Sequence, residues 1–322
     1  MTALQKDRGP GPLPARGPAA PPPHAPGRRS RRRGTRRYWW FTPWLYLLAP
    51  LALLAAFTYL PIAEMAGYSF TDWDGISPTS ENVGTENYTG LFTRPELFKV
   101  FLVSGVYLLA SFVQIAAALF FATVLSFNTR FRNFFKGILF FPYLINGVAI
   151  GFVFLYFFQP GGTLDSVLRL LGAHGEHLWL GDPDLVNKAL AGVSVWRYTG
   201  LNMVLFLGAI QSIPPHLYEA AALDGANSWQ QFRHIIAPGI KPIISLSVIL
   251  GISGSLAVFE IPYIMTGGAN GSETFVIQTI KLAFKFDKVG LASASAIVLL
   301  ILILIVTWIQ RRFVPEERVE LS

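Results

Sequence analysis

The sequence predicts an all-α, polytopic membrane protein with six transmembrane helices, and three observations carry that prediction. Hydrophobic residues make up 52% of the 322 residues and charged residues only 14%, where a soluble domain carries about 25% charge. Six apolar runs approach or exceed the roughly 20 helical residues that cross about 30 Å of hydrocarbon. The net charge of +7 is concentrated just ahead of the first of these runs, at Arg28, Arg29, Arg31, Arg32, Arg33, Arg36 and Arg37. Juxtamembrane cations in that position are retained on the cytoplasmic side and attracted to anionic lipid, so the excess predicts membrane lipid as a partner and no nucleic acid.

Residues 1–37, rich in Pro, Arg, Gly and Ala, hold no apolar run that could offset the entropy of ordering them. They read as a disordered basic cytoplasmic tail. A cleaved signal peptide is the competing reading, but the apolar run from Tyr38 to Ala63 exceeds a typical signal core and is expected to stay attached as an anchor. A six-helix membrane domain then occupies 38–312, with spans near 43–66, 100–126, 135–158, 189–212, 240–262 and 289–310, and 313–322 form a C-terminal tail.

Orientation follows from Lys and Arg at the span ends. Arg130, Arg132, Lys136, Arg233, Lys241, Arg311, Arg312 and Arg318 join the N-terminal cluster on the inside, which predicts a multi-pass protein with both termini cytoplasmic. The predicted external loops carry turn chemistry: Thr71-Asp72-Trp73-Asp74-Gly75, Pro160-Gly161-Gly162 and Thr266-Gly267-Gly268-Ala269-Asn270-Gly271. No inverted pair of interrupted helices, the mark of many secondary transporters, is expected.

The segment 213–242 is too long and too patterned for a plain connection. Pro214 and Pro215 end the fourth span and suit the first turn of a new helix, whose positive end favours the nearby Glu219. Ala220, Ala221 and Ala222 permit close approach by another protein. Gly225 breaks the helix, and Ser228 with Gln231 has the spacing of a capping box for a second one. Phe232, Ile235 and Ile236 give that helix an apolar face, and Pro238 and Pro242 lead into the fifth span.

On these residues the chain resembles the permeases of binding-protein-dependent ABC importers, whose cytoplasmic signature is EAA, three residues, G, nine residues, I, one residue, then LP. Here it reads Glu219-Ala220-Ala221, Gly225, Ile235 and Pro238, with Ala237 in place of the usual Leu. Trp196, Gly200, Met203 and Gln211-Ser212-Ile213-Pro214 are similar to the family's fourth helix, and Met265-Thr266-Gly267-Gly268 to its external turn. Ser69-Phe70-Thr71-Asp72-Trp73 and the Pro160 turn resemble the carbohydrate-importing branch, as in the maltose and glycerol-phosphate permeases.

The resemblance implies a bacterial plasma-membrane subunit that is not itself an enzyme. It also implies an ATP-binding subunit dimer, a second homologous permease and an extracytoplasmic solute-binding protein as partners. Glu219, Ala220, Ala221, Asp224, Gly225, Ile235 and Pro238 would form the ATPase-coupling element. No G-x-x-x-x-G-K-[ST] sequence occurs, so no cofactor is expected on this chain, and ATP and Mg would be used by the partner ATPase.

Charged groups within spans are costly and face a cavity or a partner, which singles out Arg197, Glu260 and Glu64. For Arg197 and Glu260 a mutual or intersubunit pair stands beside a ligand contact. Tyr198, Asn202, Ser253, Ser255 and Glu260 are candidates for the solute path, hydroxyls and amides hydrogen-bonding a sugar and the ring stacking on it; the alternative is that the small polar groups serve helix packing. His174-Gly175-Glu176-His177 reads as a solvated turn with no metal site, and His24, His216 and His234 have no catalytic spacing. The expected solute is a di- or oligosaccharide, with glycerol phosphate or another polyol as the alternative, and the competing function is a secondary transporter or channel for a small polar solute.

Overall fold

The computed structural model describes residues 42–127, 131–172, 175 and 177–313. The expected tail 1–37 and residues 314–322 of the expected tail 313–322 lie outside the described residues, while Phe313 ends the last helix. Two compact units divide the chain, Met1–Ala55 and Ala56–Ser322. In the first, α1 (Thr42–Leu54) is apolar throughout and carries Pro50. A wider, π-type turn at Ala55–Tyr59 leads to α2 (Leu60–Tyr68).

The second unit continues through α3 (Glu86–Thr93), α4 (Pro95–Ser126), α5 (Arg132–Leu144), α6 (Gly147–Phe157), α7 (Thr163–Leu170) and α8 (Pro183–Gln211). It then runs through α9 (Pro215–Leu223), α10 (Ser228–Gln231), a π-type turn at Phe232–Ile236, α11 (Ala237–Gly239), α12 (Lys241–Leu256) and α13 (Glu260–Thr266). It ends with α14 (Phe275–Phe284) and α15 (Val289–Phe313). Among the described residues, five runs are long and apolar enough to cross a membrane, Trp44–Tyr68, Pro95–Ser126, Pro183–Gln211, Lys241–Thr266 and Val289–Gln310, and the bent pair α5–α6, counted as one span, brings the number to six.

Two spans are interrupted, where the sequence reading expects none. Between α5 and α6 the axis turns by 96°. Ile145 is extended there, and the Asn146 side chain accepts a hydrogen bond from Val148 N at 2.8 Å, capping a new helix where the old one has ended. The fifth span breaks at Ala257–Phe259, and Glu260, expected near the span's end, instead heads α13.

Helix α4 packs along α8, and three buried clusters hold the unit together. One joins Val103 and Tyr107 of α4 to Ile150 of α6, Leu190 and Val193 of α8 and Ile261 of α13. Another joins Ile115, Ala118 and Ala122 of α4 to Met203, Phe206 and Ile210 of α8, to Ile236 at the end of the π-type turn and to Ile240. A third ties Leu91 of α3 and Val100 of α4 to Phe275 of α14 and Ala294 of α15.

The expected glycine-containing turns form, and carboxylates lock the first two. Asp74 accepts from Ile76 N at 2.9 Å, Ser77 N at 2.8 Å and Ser77 Oγ at 2.6 Å. These bonds, the Ser77 hydroxyl's first among them, lower its pKa from 3.8 to about 2. Buried Asp165, at the start of α7, accepts from Trp179 Nε1 at 2.8 Å, Gly161 N at 2.8 Å and His177 N at 3.4 Å. The Trp179 bond is the main cause of its lowered pKa. A carboxylate whose folded pKa lies below its unfolded value stabilises the fold fully above the unfolded value and loses that contribution as pH falls through the folded one. Acidification from neutrality to below the ordinary carboxylate value of 3.8 is therefore expected to loosen residues 159–182. Hydrogen exchange across that segment should rise at low pH in the wild type, and Asp165→Asn should exchange fast at every pH.

Candidate functional site

A cavity of about 450 Å³ opens between α4, α8 and α12 and reaches the break before α13. Its size falls in the range of small-molecule sites, about 300–1,000 Å³. On α8 it is lined by Ser194, Tyr198, Leu201, Asn202 and Leu205; on α12 by Ser247, Leu250, Gly251, Gly254 and Ser255; on α4 by Tyr107, Ala110, Ser111 and Gln114. Each set follows the i, i+3, i+4 spacing that puts side chains on one helix face. Phe259 and Glu260 close the end nearest the break.

Of the expected path residues, Tyr198, Asn202, Ser255 and Glu260 meet at this cavity. Ser253 does not line it, because two residues from Ser255 the helix has turned well away from the cavity face. Tyr107, Ser111, Gln114, Ser194 and Ser247 are lining groups that the sequence reading passed over. Projecting the α12 spacing back from Ser255 reaches Ser247, so the helical period was the signal that could have found it. Tyr107 Oη and Ser247 Oγ are buried and have no hydrogen-bond partner within the chain. Buried polar groups are almost always paired, so these two hydroxyls, on residues that line the cavity, are left without the usual partner. Ser111 and Ser255 spend their hydroxyl protons on the carbonyls of Leu108 and Ile252 at 2.7 Å each, leaving their oxygen lone pairs to accept.

Arg197 and Glu260 form a mutual pair, Nη1 to Oε2 at 2.7 Å. Arg197 Nη2 also donates to Ile145 O at 3.5 Å, at the end of α5. The guanidinium thus joins α8, the α5–α6 break and the α12–α13 break at one point. Gly147 makes room for it: a Cβ there would fall on the Glu260 carboxylate and the Arg197 guanidinium. Arg197 also stands over the Tyr198 ring, 5.2 Å from its centroid. Glu64 lies on α2, outside this cluster. His174 and Glu176 lie outside the described residues, and His177 Nδ1 stands 3.5 Å from Asp165 Oδ1.

The 213–242 segment forms the expected helix, bend, helix. Helix α9 starts at Pro215 with Pro214 as its cap, and Gly225 adopts φ +76°, a left-handed conformation that suits glycine. Two details differ from expectation. Glu219 lies in the middle of α9 and not in its first turn. The capping box is formed by Asn227 and Gln230, one residue ahead of Ser228 and Gln231: Asn227 Oδ1 accepts from Gln230 N at 2.9 Å and Gln230 Oε1 from Asn227 N at 2.8 Å. The short amide of Asn227 satisfies the same geometry first. Glu219, Ala220, Asp224, Gly225 and Pro238 are exposed, Ala221 and Ile235 half-buried. Leu223 and Trp229, exposed by 89% and 66%, flank the bend.

Apolar helices long enough to cross a membrane, a cavity with a few polar groups among apolar walls beside the α12–α13 break, and an exposed helix-bend-helix segment define a membrane permease. The family described as binding-protein-dependent transport system inner membrane component matches residues 114–319, and the chain belongs to it. A probable ABC transporter permease of Bacillus subtilis, YurN, is 35% identical over 278 residues, 84% of this chain and 95% of that protein. The multiple sugar-binding transport system permease MsmF of Streptococcus mutans is 32% identical over 283 residues, 87% of this chain and 96% of its own length. In fold, the chain matches a crystal structure of a bacterial ABC transporter that imports the acidic polysaccharide alginate, with a TM-score of 0.73, 21% identity, and coverage of 84% of this chain and 95% of that one.

Proposed function

We infer that this chain is the transmembrane subunit of an ATP-driven importer and forms half of the translocation path for a di- or oligosaccharide. The observation that carries this reading is the cavity, where Tyr198, Asn202, Gln114 and the unpartnered hydroxyls of Tyr107 and Ser247 converge among apolar walls. That mixture suits a polyhydroxy solute, with donors and acceptors for hydroxyls and aromatic faces for the apolar sides of sugar rings. The names of relatives such as the lactose permease LacF of Rhizobium radiobacter support the class of solute.

In this reading the 213–242 segment is the cytoplasmic coupling element. It docks into an ATP-binding subunit dimer that uses ATP and Mg, while a second homologous permease supplies the other half of the path. A solute-binding protein delivers the sugar from the opposite side, and both termini are cytoplasmic. The chain contributes no catalytic residue. Ile236 and Ile240, buried against α4 and α8, link the segment to the two helices that line the cavity, so a displacement of α9 and α10 is carried into the path as a packed unit.

The interrupted third and fifth spans favour one competing reading, a secondary transporter, since such proteins use broken helices at their sites. Purification of the chain from its own membrane in mild detergent, followed by mass spectrometry, separates the two. Recovery with an ATPase and a second permease supports the importer. Recovery alone, as a homo-oligomer that transports without ATP, replaces it with the secondary transporter.

A further inference from the structure

We propose that Glu260, oriented by Arg197, is a charge-selecting residue that restricts the cavity to neutral glycans and rejects those bearing carboxylates. The proposal rests on the sugar reading above and specifies its substrate class.

Glu260 is the one charged residue among the described residues lining the cavity. The pair is asymmetric: the Glu260 side chain is 42% exposed and that of Arg197 10%. Arg197 therefore sits behind the carboxylate, held by Glu260 Oε2 and the Ile145 carbonyl. Glu260 Oε1 takes no hydrogen bond from the chain. The solute thus meets the negative end of a fixed dipole, and its free oxygen accepts from a sugar hydroxyl.

A glycan carboxylate placed there is repelled by Glu260, finds no cation on the cavity walls, and gives up its water among neutral groups. A neutral glycan loses nothing comparable. Gly147 gives the pair its space, because the Cβ of any other residue would fall on it. The fold itself does not impose a neutral cargo, since the chain shares it with an importer of an acidic polysaccharide.

The test uses the full-length permease purified with its partner subunits, without binding protein or nucleotide, and two probes of equal length: maltopentaose, which is neutral, and an alginate pentasaccharide, which is acidic. Binding is read by calorimetry. Wild type is expected to bind the neutral probe at least about tenfold more tightly, like charges across a protein site being worth that much or more. Glu260→Gln should bring the two probes to within about threefold, since it removes the anion and leaves the Arg197 cation facing the solute. The double variant R197Q/E260Q, which leaves no charge unpaired, should also narrow the ratio and guards against misfolding of the single one. An unchanged ratio in both variants, or a wild type that prefers the acidic probe, overturns the charge selection while the sugar reading stands. Binding of neither probe to wild type removes the sugar reading and this inference with it.

Discussion

Gly200→Leu is expected to abolish recovery of folded permease, and Gly200→Ala to lower its stability by about 1–3 kcal/mol, the cost of overpacking a tight site. A Cβ at Gly200 would overlap the Leu139 carbonyl oxygen and stand 2.7 Å from Leu139 C and 2.8 Å from Phe140 Cα. All three are backbone atoms of α5, so no rotamer change relieves the overlap, and α5 as a whole must retreat from α8. Small residues at such crossings let membrane helices associate through close packing, which replaces the hydrophobic driving force that lipid does not supply. The same helix provides the control. At Gly192 and Gly208 an added Cβ meets nothing within 4 Å, so Ala there should be neutral or slightly stabilising through helix propensity. Thermal unfolding in detergent, followed by size-exclusion chromatography, reads all three positions. Equal tolerance at 192, 200 and 208 would remove the claim that α5 and α8 touch at Gly200. The consequence reaches the cavity, because Arg197 lies one turn from Gly200 and bonds to Ile145 at the end of α5.

What the sequence made legible follows from what each physical term depends on. Span number and limits depend on summed hydropathy, so the fourth span, expected from 189 to 212, differs from Pro183–Gln211 mainly where Asp182 caps it and Pro183 opens it. Helix breaks depend on a few residues. Asn146-Gly147 was a turn signal inside an apolar run, readable in principle beside Pro142. The break at Ala257–Phe259 contains no Gly or Pro, but Pro262 follows it and can neither donate to the Val258 carbonyl nor clear it, so a local signal was present four residues downstream. The Arg197–Glu260 pair was half legible: two charges in hydrocarbon must be compensated, yet sequence cannot say by whom. Ser253 was chosen beside Ser255 on residue type, although the helical period of α12 keeps residues two apart from sharing one face.

Leu223→Asp should abolish uptake while leaving the permease folded. Leu223 ends α9 and is 89% exposed, and Trp229, 66% exposed, lies across the Gly225 bend, stacked on Phe232 with ring centroids 5.4 Å apart. An apolar pair raised on a rigid, twice-capped element is the usual form of an energetic anchor, where a few large side chains carry most of an interface. Burying a leucine contributes about 1.5–3 kcal/mol, and a carboxylate forced into the same apolar contact adds the cost of its own desolvation. A combined loss of about 3–5 kcal/mol corresponds to more than a hundredfold in affinity for the ATP-binding subunit. Pull-down of that subunit should fail and solute-stimulated ATP hydrolysis should disappear, with the melting temperature of the permease unchanged. Glu219→Lys, on the same exposed helix, should act in the same direction. Gly225→Ala separates shape from contact: nothing lies within 4 Å of its Cβ, so only left-handed strain of about 1 kcal/mol opposes it, and coupling should weaken without vanishing. Ile236→Ala gives the opposite signature. Its side chain is fully buried between α4 and α8, so it should lower permease stability by about 2–5 kcal/mol and leave the exposed surface of α9 and α10 intact. If Leu223→Asp recovers the ATPase as well as wild type, the exposed bend is not where force enters this chain.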